Sequence, residues 1–478
     1  MSRFATALAA AVLLGCAAHA APAPKAPPMA SGDSGEPAFR ALYKELVETN
    51  TSFSAGDCTL AANRMAARLR AAGFPDSDLT LFTPPDHPKD GGLVAVYPGK
   101  DPKAKAILLL AHIDVVEAKR EDWTRDPFTL IEEGGFFYGR GVSDDKAQGA
   151  IFTDLLIRFR QEGFKGRRPI KLALTCGEEG GGQVNGASWL VANRRELIDA
   201  AFALNEGAGV NLDAAGKPIA HTVLAGEKSS QTFRLEATNP GGHSSRPTPD
   251  NAIYHITHAV DRIAAYDFPV MVNDTTRTYF TEMAKIAGGE MGAAMAAIAA
   301  NPADAAAAAT LRRDPGNNAV LGTTCVATLL QAGHAQNALP QRATATINCR
   351  IFPGVSGQQV REALIKVIGD PTVSVSQPAG RPGIEEGPPL TPQMMGPIRQ
   401  VSQAMWPGVP VIPFLLAAAT DGKALIAGGI PTYGVSGIAY EPDQGHIHGL
   451  NERIGVKALM DARTFSYRLV KIYAEQKD

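Results

Sequence analysis

Four runs of nearly uninterrupted apolar residues restrict the possible folds of this chain more than any other feature. They are Ala106-Ile-Leu-Leu-Leu-Ala111, Ile170-Lys-Leu-Ala-Leu-Thr175, Ala201-Phe-Ala-Leu204 and Pro431-Thr-Tyr-Gly-Val435. A strand with one wet face alternates apolar and polar residues, whereas runs this uniform suit strands covered on both faces. Helical periodicity fills much of the intervening sequence, over 38–75, Ala147–Phe159 and Ala187–Leu197, and Gly92–Tyr97 reads as a further strand. The alternation predicts an α/β domain built on a doubly wound, mostly parallel sheet.

Residues 227–380 read differently. Thr232–Ala237 and Arg342–Cys349 alternate, as strands of a one-sided antiparallel sheet do. The order strand, helix (Asp250–Ala265), strand, strand, helix (Gly357–Ile368), strand (Thr372–Val375) is that of a split βαβ, ferredoxin-like α+β domain. An alanine-rich stretch, with 12 Ala in residues 291–310, reads as an added helical hairpin without chemistry. The larger domain is therefore expected over 37–226 and 381–478, with 227–380 inserted. A length of 478 residues, too many for one core, agrees.

Arg3, the apolar run Phe4–Leu14 and the small-residue site Ala18-His19-Ala20 form an export signal over 1–20, followed by a Pro/Ala/Ser/Gly linker over 21–36. Cleavage after Ala20 is the favoured reading, giving an exported, periplasmic or secreted protein. Leu13-Leu14-Gly15-Cys16 offers a lipid anchor at Cys16 as the lesser reading. A net charge of −2, from 46 basic and 48 acidic residues, carries no nucleic-acid footprint, and no run is long enough to span a membrane. Without a CxxC motif a thiolate metal site is not expected. Cys325 and Cys349 fall opposite each other in an antiparallel hairpin centred on residue 337, but two unbonded small residues are the favoured reading.

The apolar runs carry their chemistry at their C-terminal ends. Ala106–Ala111 leads into His112-Ile-Asp114, Ile170–Thr175 into Cys176-Gly-Glu178-Glu179, Ala201–Leu204 into Asn205-Glu206, and Pro431–Val435 is followed by Gly445-His446-Ile-His448. Ligands of open α/β sheets bind beyond the carboxyl ends of the strands. Two histidines with several carboxylates suit zinc, and more than three carboxylates suggest two ions sharing a bridge. His112 and Asp114 face one way on a strand, so Asp114 can orient the imidazole. Of the adjacent glutamates, one can hold metal while the other moves a proton. His255 and His258, three apart on a helix, have no supporting carboxylate run and read as a solvated face. No GxSxG or HExxH motif occurs.

With His112-Ile-Asp-Val-Val116, Trp123–Phe128, Gly139–Lys146, Gly177-Glu-Glu179, Ala203-Leu-Asn-Glu-Gly207, Gly241-Gly-His-Ser-Ser245 and His448-Gly-Leu-Asn-Glu452, the chain resembles the co-catalytic di-zinc exopeptidases and amidohydrolases. That family includes aminoacylase, carboxypeptidase S, glutamate carboxypeptidase and succinyl-diaminopimelate desuccinylase, and the resemblance covers nearly all of the chain after the signal. It implies two Zn2+ (Co2+ or Mn2+ as substitutes) held by His112, Asp144, Glu179, Glu206 and His448. Asp144 would bridge the ions through a cis peptide to Asp145, and His446 would stay outside the set. Glu178 would act as base and then acid toward a metal-bridged hydroxide, with His243 stabilising the oxyanion, often from the other subunit of a homodimer. The inserted domain would be the lid and dimerisation element, with Asn337 and Arg350 contacting substrate. Where the family often has Thr-Asp-x-Arg, this chain has Thr420-Asp-Gly-Lys423; Lys423 supplies charge without a bidentate fork. The expected activity is exopeptidase cleavage of short peptides, with N-acyl amino acid hydrolysis as the alternative and a silent metal-binding protein as a remote one.

Overall fold

The computed structural model describes residues 35–377 and 387–477. The expected signal, Cys16 and most of the linker lie outside the described residues. The four apolar runs form the heart of a ten-stranded sheet as parallel neighbours. Their order is Ile170–Thr175, Ile107–His112, Phe202–Asn205, Thr432–Gly434. Every residue of strand Ile107–His112 is buried, because helices cover both faces. Helices Glu36–Val47, Cys58–Ala71, Lys146–Glu162 and Val456–Glu475 enclose the larger core, and Gly186–Asn193 with Gly422–Ala427 covers the opposite face.

Antiparallel strands flank this centre. Gly92–Tyr97 pairs with Ile170–Thr175, and Pro218–Glu227 meets Thr432–Gly434 while taking Val411–Leu416 as a parallel partner. The last two strands escape a pattern reading. Pro413 interrupts one, and proline usually argues against a paired strand. The single helix expected over Ala187–Leu197 is two, Gly186–Asn193 and Arg195–Ile198, the first capped by the Asn185 side chain accepting from Ser188 N.

Strand Ser229–Thr238 opens a separate four-stranded antiparallel sheet with Thr324–Ala332, Arg342–Ile351 and Ser374–Ser376. Its inward residues Phe233, Leu235 and Ala237 pack with Ile347 and Ile351 under helices Ala252–Ala264 and Gly357–Ile368. The alanine-rich stretch is more than a hairpin. Four helices, Asp274–Ala287, Gly289–Ala300, Ala305–Arg312 and Pro315–Val320, close on their own core of Phe280, Met295, Ile298 and Leu311. The module begins early because Asn273 and Thr276 form a reciprocal capping box.

The cysteine expectation is corrected. Cys325 and Cys349 are bonded; they face each other in the ladder with Cα atoms 4.0 Å apart, close enough for the sulfurs to meet. A second bond, Cys58–Cys176, ties the first turn of helix Cys58–Ala71 to the end of strand Ile170–Thr175. Its partners stand 118 residues apart, so no spacing rule announces it. Among the described residues no helix is long and apolar enough to cross a membrane.

Candidate metal centre

Three parallel strand ends and two loops converge beyond the carboxyl edge of the central sheet. His112 closes its strand fully buried, with Nε2 3.0 Å from Asp144 Oδ1 and 3.7 Å from Glu206 Oε1. Across Asp144, the other carboxylate oxygen lies 3.1 Å from His448 Nε2, which is 2.9 Å from Glu179 Oε1. Two groups able to hold a cation result, His112–Asp144–Glu206 and Asp144–Glu179–His448, and they share Asp144. Tetrahedral ligands on bonds of about 2.0–2.1 Å stand roughly 3.3 Å from one another, so these donor spacings fit a metal ion on either side of Asp144. A further group, His112–Glu178–Glu179, brings Glu178 to the same point.

The charges indicate what the site is arranged to hold. Burial raises Glu206 well above the carboxylate range, with Asp144, Asp145 and Glu178 adding to the rise. Burial alone would raise Asp144 too, yet hydrogen bonds with His112 and His448 hold it below that range. Hydrogen bonds to Asp144 and Glu179 take His448 up to about 10. For His112, the pull of Glu206, Asp114 and Asp144 outweighs burial and raises it well above an ordinary imidazole. Crowded carboxylates thus draw protons onto both imidazoles, in the place where cations would neutralise them.

Buried partners fix these donor side chains. The Asp144–Asp145 peptide is cis, as the resemblance implied. Glu452 is fully buried and holds the loop before it: Oε1 accepts from Ser143 N and Asp144 N, and Oε2 from Gly141 N and the Arg140 guanidinium at 2.8 Å. Arg140 also donates to Gly449 O, next to His448, so one ion pair ties both loops. Asp114 works differently from the expectation. Its backbone carbonyl lies 3.1 Å from His112 Nδ1, closer than its carboxylate at 3.5 Å. The carboxylate instead accepts from Glu178 N and Glu179 N, fixing the glutamate loop. Burial pushes Glu178 up to about 8; His112 pulls against it, while Asp421, Glu179 and Asp144 add to the rise. Asp421, buried between Thr175 and Asn185, had no role in the sequence reading. Neither did Glu452, although it stands in a motif that was recognised; buried carboxylates with fixed partners leave no mark in sequence.

The remaining expected residues stay apart from these groups. His243 is exposed on a two-residue strand paired with Ala338, beside Asn337, whose carbonyl accepts from Ser244 N. Arg350 lies at the other end of strand Arg342–Ile351, eight residues or about 27 Å from its start. Lys423 acts electrostatically on buried Glu227, which anchors Thr420 through two hydrogen bonds. His446 faces Asp443 and Leu450, outside both groups.

A cavity of about 450 Å³ adjoins Asp144 and Glu206, with both polar and apolar walls, among them Asn211, Thr222, Glu441, Leu212, Phe414 and Tyr279.

The model of peptidase family M20/M25/M40 matches residues 108–472. The chain is 28% identical over 410 residues to the human N-fatty-acyl-amino acid synthase/hydrolase PM20D1, covering 83% of this chain and 80% of that protein. It is also 28% identical over 391 residues to a probable carboxypeptidase S-like 2 of Dictyostelium discoideum, covering 79% and 74%. In fold it is similar to the M20 family metallo-carboxypeptidase Sso-CP2 of Sulfolobus solfataricus, with a TM-score of 0.67 at 18% identity over 91% of this chain and 99% of that one. With the family model spanning most of the chain and two donor groups sharing one aspartate at the sheet edge, the protein belongs to peptidase family M20/M25/M40 and is a metal-dependent hydrolase of amide bonds.

Proposed function

We propose that the protein is a zinc exopeptidase, of carboxypeptidase or dipeptidase type, acting on short peptides, with Glu178 as its proton carrier. The observation that carries this reading is the sharing of Asp144 between two cation-capable groups with Glu178 beside them. Nitrogen and oxygen donors at these spacings favour zinc, with Co2+ or Mn2+ as substitutes. A pair of cations, when bound, supplies an acidified water and a polarised carbonyl. Glu178 takes a proton from the attacking water and returns it to the leaving nitrogen. Asp114 keeps Glu178 and Glu179 aimed through their backbone N–H groups. A second reading, N-acyl amino acid hydrolysis, is favoured by the cavity beside Glu206 and by the PM20D1 relative.

His243 would stabilise the oxyanion from a second copy of the chain. Strand Thr324–Ala332 supports such a homodimer: it is a sheet edge exposing Val326, Leu329 and Leu330, each about 60% accessible. Unpaired apolar edges of this kind seek a partner. Asn337 beside His243 would contact substrate from that copy, while Arg350 and Lys423 would approach from nearer the junction of the domains. Export to an oxidising compartment is supported by the two disulfides.

Metal analysis of the purified chain should give two ions per chain, and chelation that preserves the fold should stop cleavage of a dipeptide and acyl-amino-acid panel. Retained turnover after complete metal loss would refute the reading. Mixing Glu178→Gln with His243→Ala chains should restore activity, because one site of each mixed dimer then holds both native residues. No recovery despite demonstrated exchange would place His243 outside the partner's site.

A further inference from the structure

We infer that Thr420 and Glu227 are positioning residues for amide hydrolysis: at the seam between the ten-stranded and four-stranded sheets, the Thr420 hydroxyl holds in place the chain segments that carry Glu206 and Glu178. The inference rests on the donor groups and on the role of Glu178 proposed above, and it adds what keeps them aimed. The polar residues of this node, Thr420, Glu227, Asn205 and Asp421, are all buried.

A threonine hydroxyl has one hydrogen to donate and two lone pairs to offer. Thr420 commits all three. Its Oγ1 donates to Glu227 Oε1 at 2.6 Å and accepts from Asn205 Nδ2 and Gly422 N, each at 3.0 Å. Each bond leads to a different segment. Asn205 ends its strand directly before Glu206, and among the described residues its side-chain amide has no other hydrogen-bond partner, Oδ1 being buried and unpaired. The bond from Gly422 N closes the turn that presents Asp421, whose carboxylate accepts from Thr175 Oγ1 and Asn185 Nδ2. Asn185 also donates to the carbonyl of Gly177, the residue before Glu178. A Cβ at position 422 would stand 3.1 Å from Thr420 Oγ1 and 3.2 Å from Glu227 Oε1, so the turn needs glycine to approach this closely.

Glu227 sets the node at the seam. It ends strand Pro218–Glu227 of the ten-stranded sheet, and strand Ser229–Thr238 of the four-stranded sheet begins after a single residue, Lys228. These sequence neighbours grip opposite sides. Glu227 Oε2 accepts from Thr420 N at 2.8 Å, whereas buried Lys228 donates to Ala319 O at 2.7 Å and Thr324 Oγ1 at 3.1 Å. A shift of the four-stranded sheet about this seam therefore pulls on Glu227, and through Thr420 it reaches both glutamate-bearing segments.

The test is the kinetics of the zinc-saturated full chain on the dipeptide and acyl-amino-acid panel, together with competition for zinc against a chromogenic chelator. Thr420→Val, which keeps the shape and removes the hydroxyl, should lower kcat and weaken zinc binding about 10- to 100-fold, the usual worth of a partner behind a metal-binding side chain, with KM within about threefold. Thr420→Ser, which keeps the hydroxyl, should recover most of both. Glu227→Gln offers one acceptor where Thr420 needs two and should repeat the loss. The double variant should lose no more than the worse single one, because both changes break the same node. Should Thr420→Val fail to fold, Glu227→Gln and Thr420→Ser carry the comparison. Unchanged kcat in Glu227→Gln, a serine variant as impaired as the valine one, losses that multiply in the double variant, or a raised KM at constant kcat would overturn the node while leaving the amide-hydrolase reading standing. A native chain that neither bound zinc nor cleaved any amide of the panel would overturn both.

Discussion

The rim of the ten-stranded sheet and the ribbon that carries His243 hold their polar residues in opposite ways. At the edge of the ten-stranded sheet, Glu452 makes four hydrogen bonds while fully buried, and Asp114 and Asp421 are each buried between two partners. On the small two-stranded ribbon His243 is exposed, with Ser245 as its side-chain partner, and Asn337 beside that ribbon is exposed as well. Carboxylates crowded together out of water need fixed hydrogen-bond donors to hold them in place. A group that arrives from another body needs the reverse, an accessible surface. Two histidines outside the donor groups repeat the contrast: His221 is sealed between Trp406 and Phe465, whereas His255 sits near the surface of the smaller domain between Asp250 and Asp370.

Substitutions at the two regions should separate them. The largest effect is expected for Glu178→Gln, with kcat lowered about 10²- to 10⁴-fold while metal content stays unchanged; loss of metal together with activity would make Glu178 a ligand instead of a base. Next, Glu452→Ala strands the Arg140 guanidinium and three backbone N–H groups in the interior. It should cost about 3–5 kcal/mol in denaturant unfolding of the larger domain, and a loss under about 1 kcal/mol would show that the buried pair is dispensable. His243→Ala, by contrast, should leave stability within about 0.5 kcal/mol and lower kcat alone.

pH should divide the regions as well. Burial lowers His221 to about 4, below its unfolded value of about 6.5. Its contribution is therefore intact above pH 6.5 and is lost as pH falls toward 4, by about 3 kcal/mol in all. Urea titrations at several pH values should show this loss, and a His221→Phe chain should lack that part of it. His255 runs the other way and is the smallest effect. Its hydrogen bond to Asp370 raises it, so its contribution is full below about pH 6.5 and disappears as pH rises through the raised value. For so open a pair the difference should stay under about 1 kcal/mol, measured as the pH dependence removed by His255→Asn. The sequence reading of His255 as a solvated face missed this pair, since Asp370 lies 115 residues away.

Much of the molecule can be read from local pattern. Uniform apolar runs announce the parallel centre because a strand covered on both faces has no position left for a polar side chain. Alternation marks the smaller sheet for the complementary reason. The candidate metal donors are legible because a strand must end where the sheet ends, so His112, Glu179 and Glu206 are delivered to one rim whatever the loops do. Strand Val411–Leu416, the Cys58–Cys176 bond, the Glu452 clamp and Tyr279 against the cavity follow no such rule. Each depends on two segments meeting across tens or hundreds of residues, and a contact of that kind costs the chain no distinctive composition. Period and strand order are one-dimensional constraints, written into neighbouring residues by burial. Which side chain stands behind a ligand, and which wall closes a cavity, is settled only when distant surfaces pack, because packing is a property of volumes that the order of residues does not display.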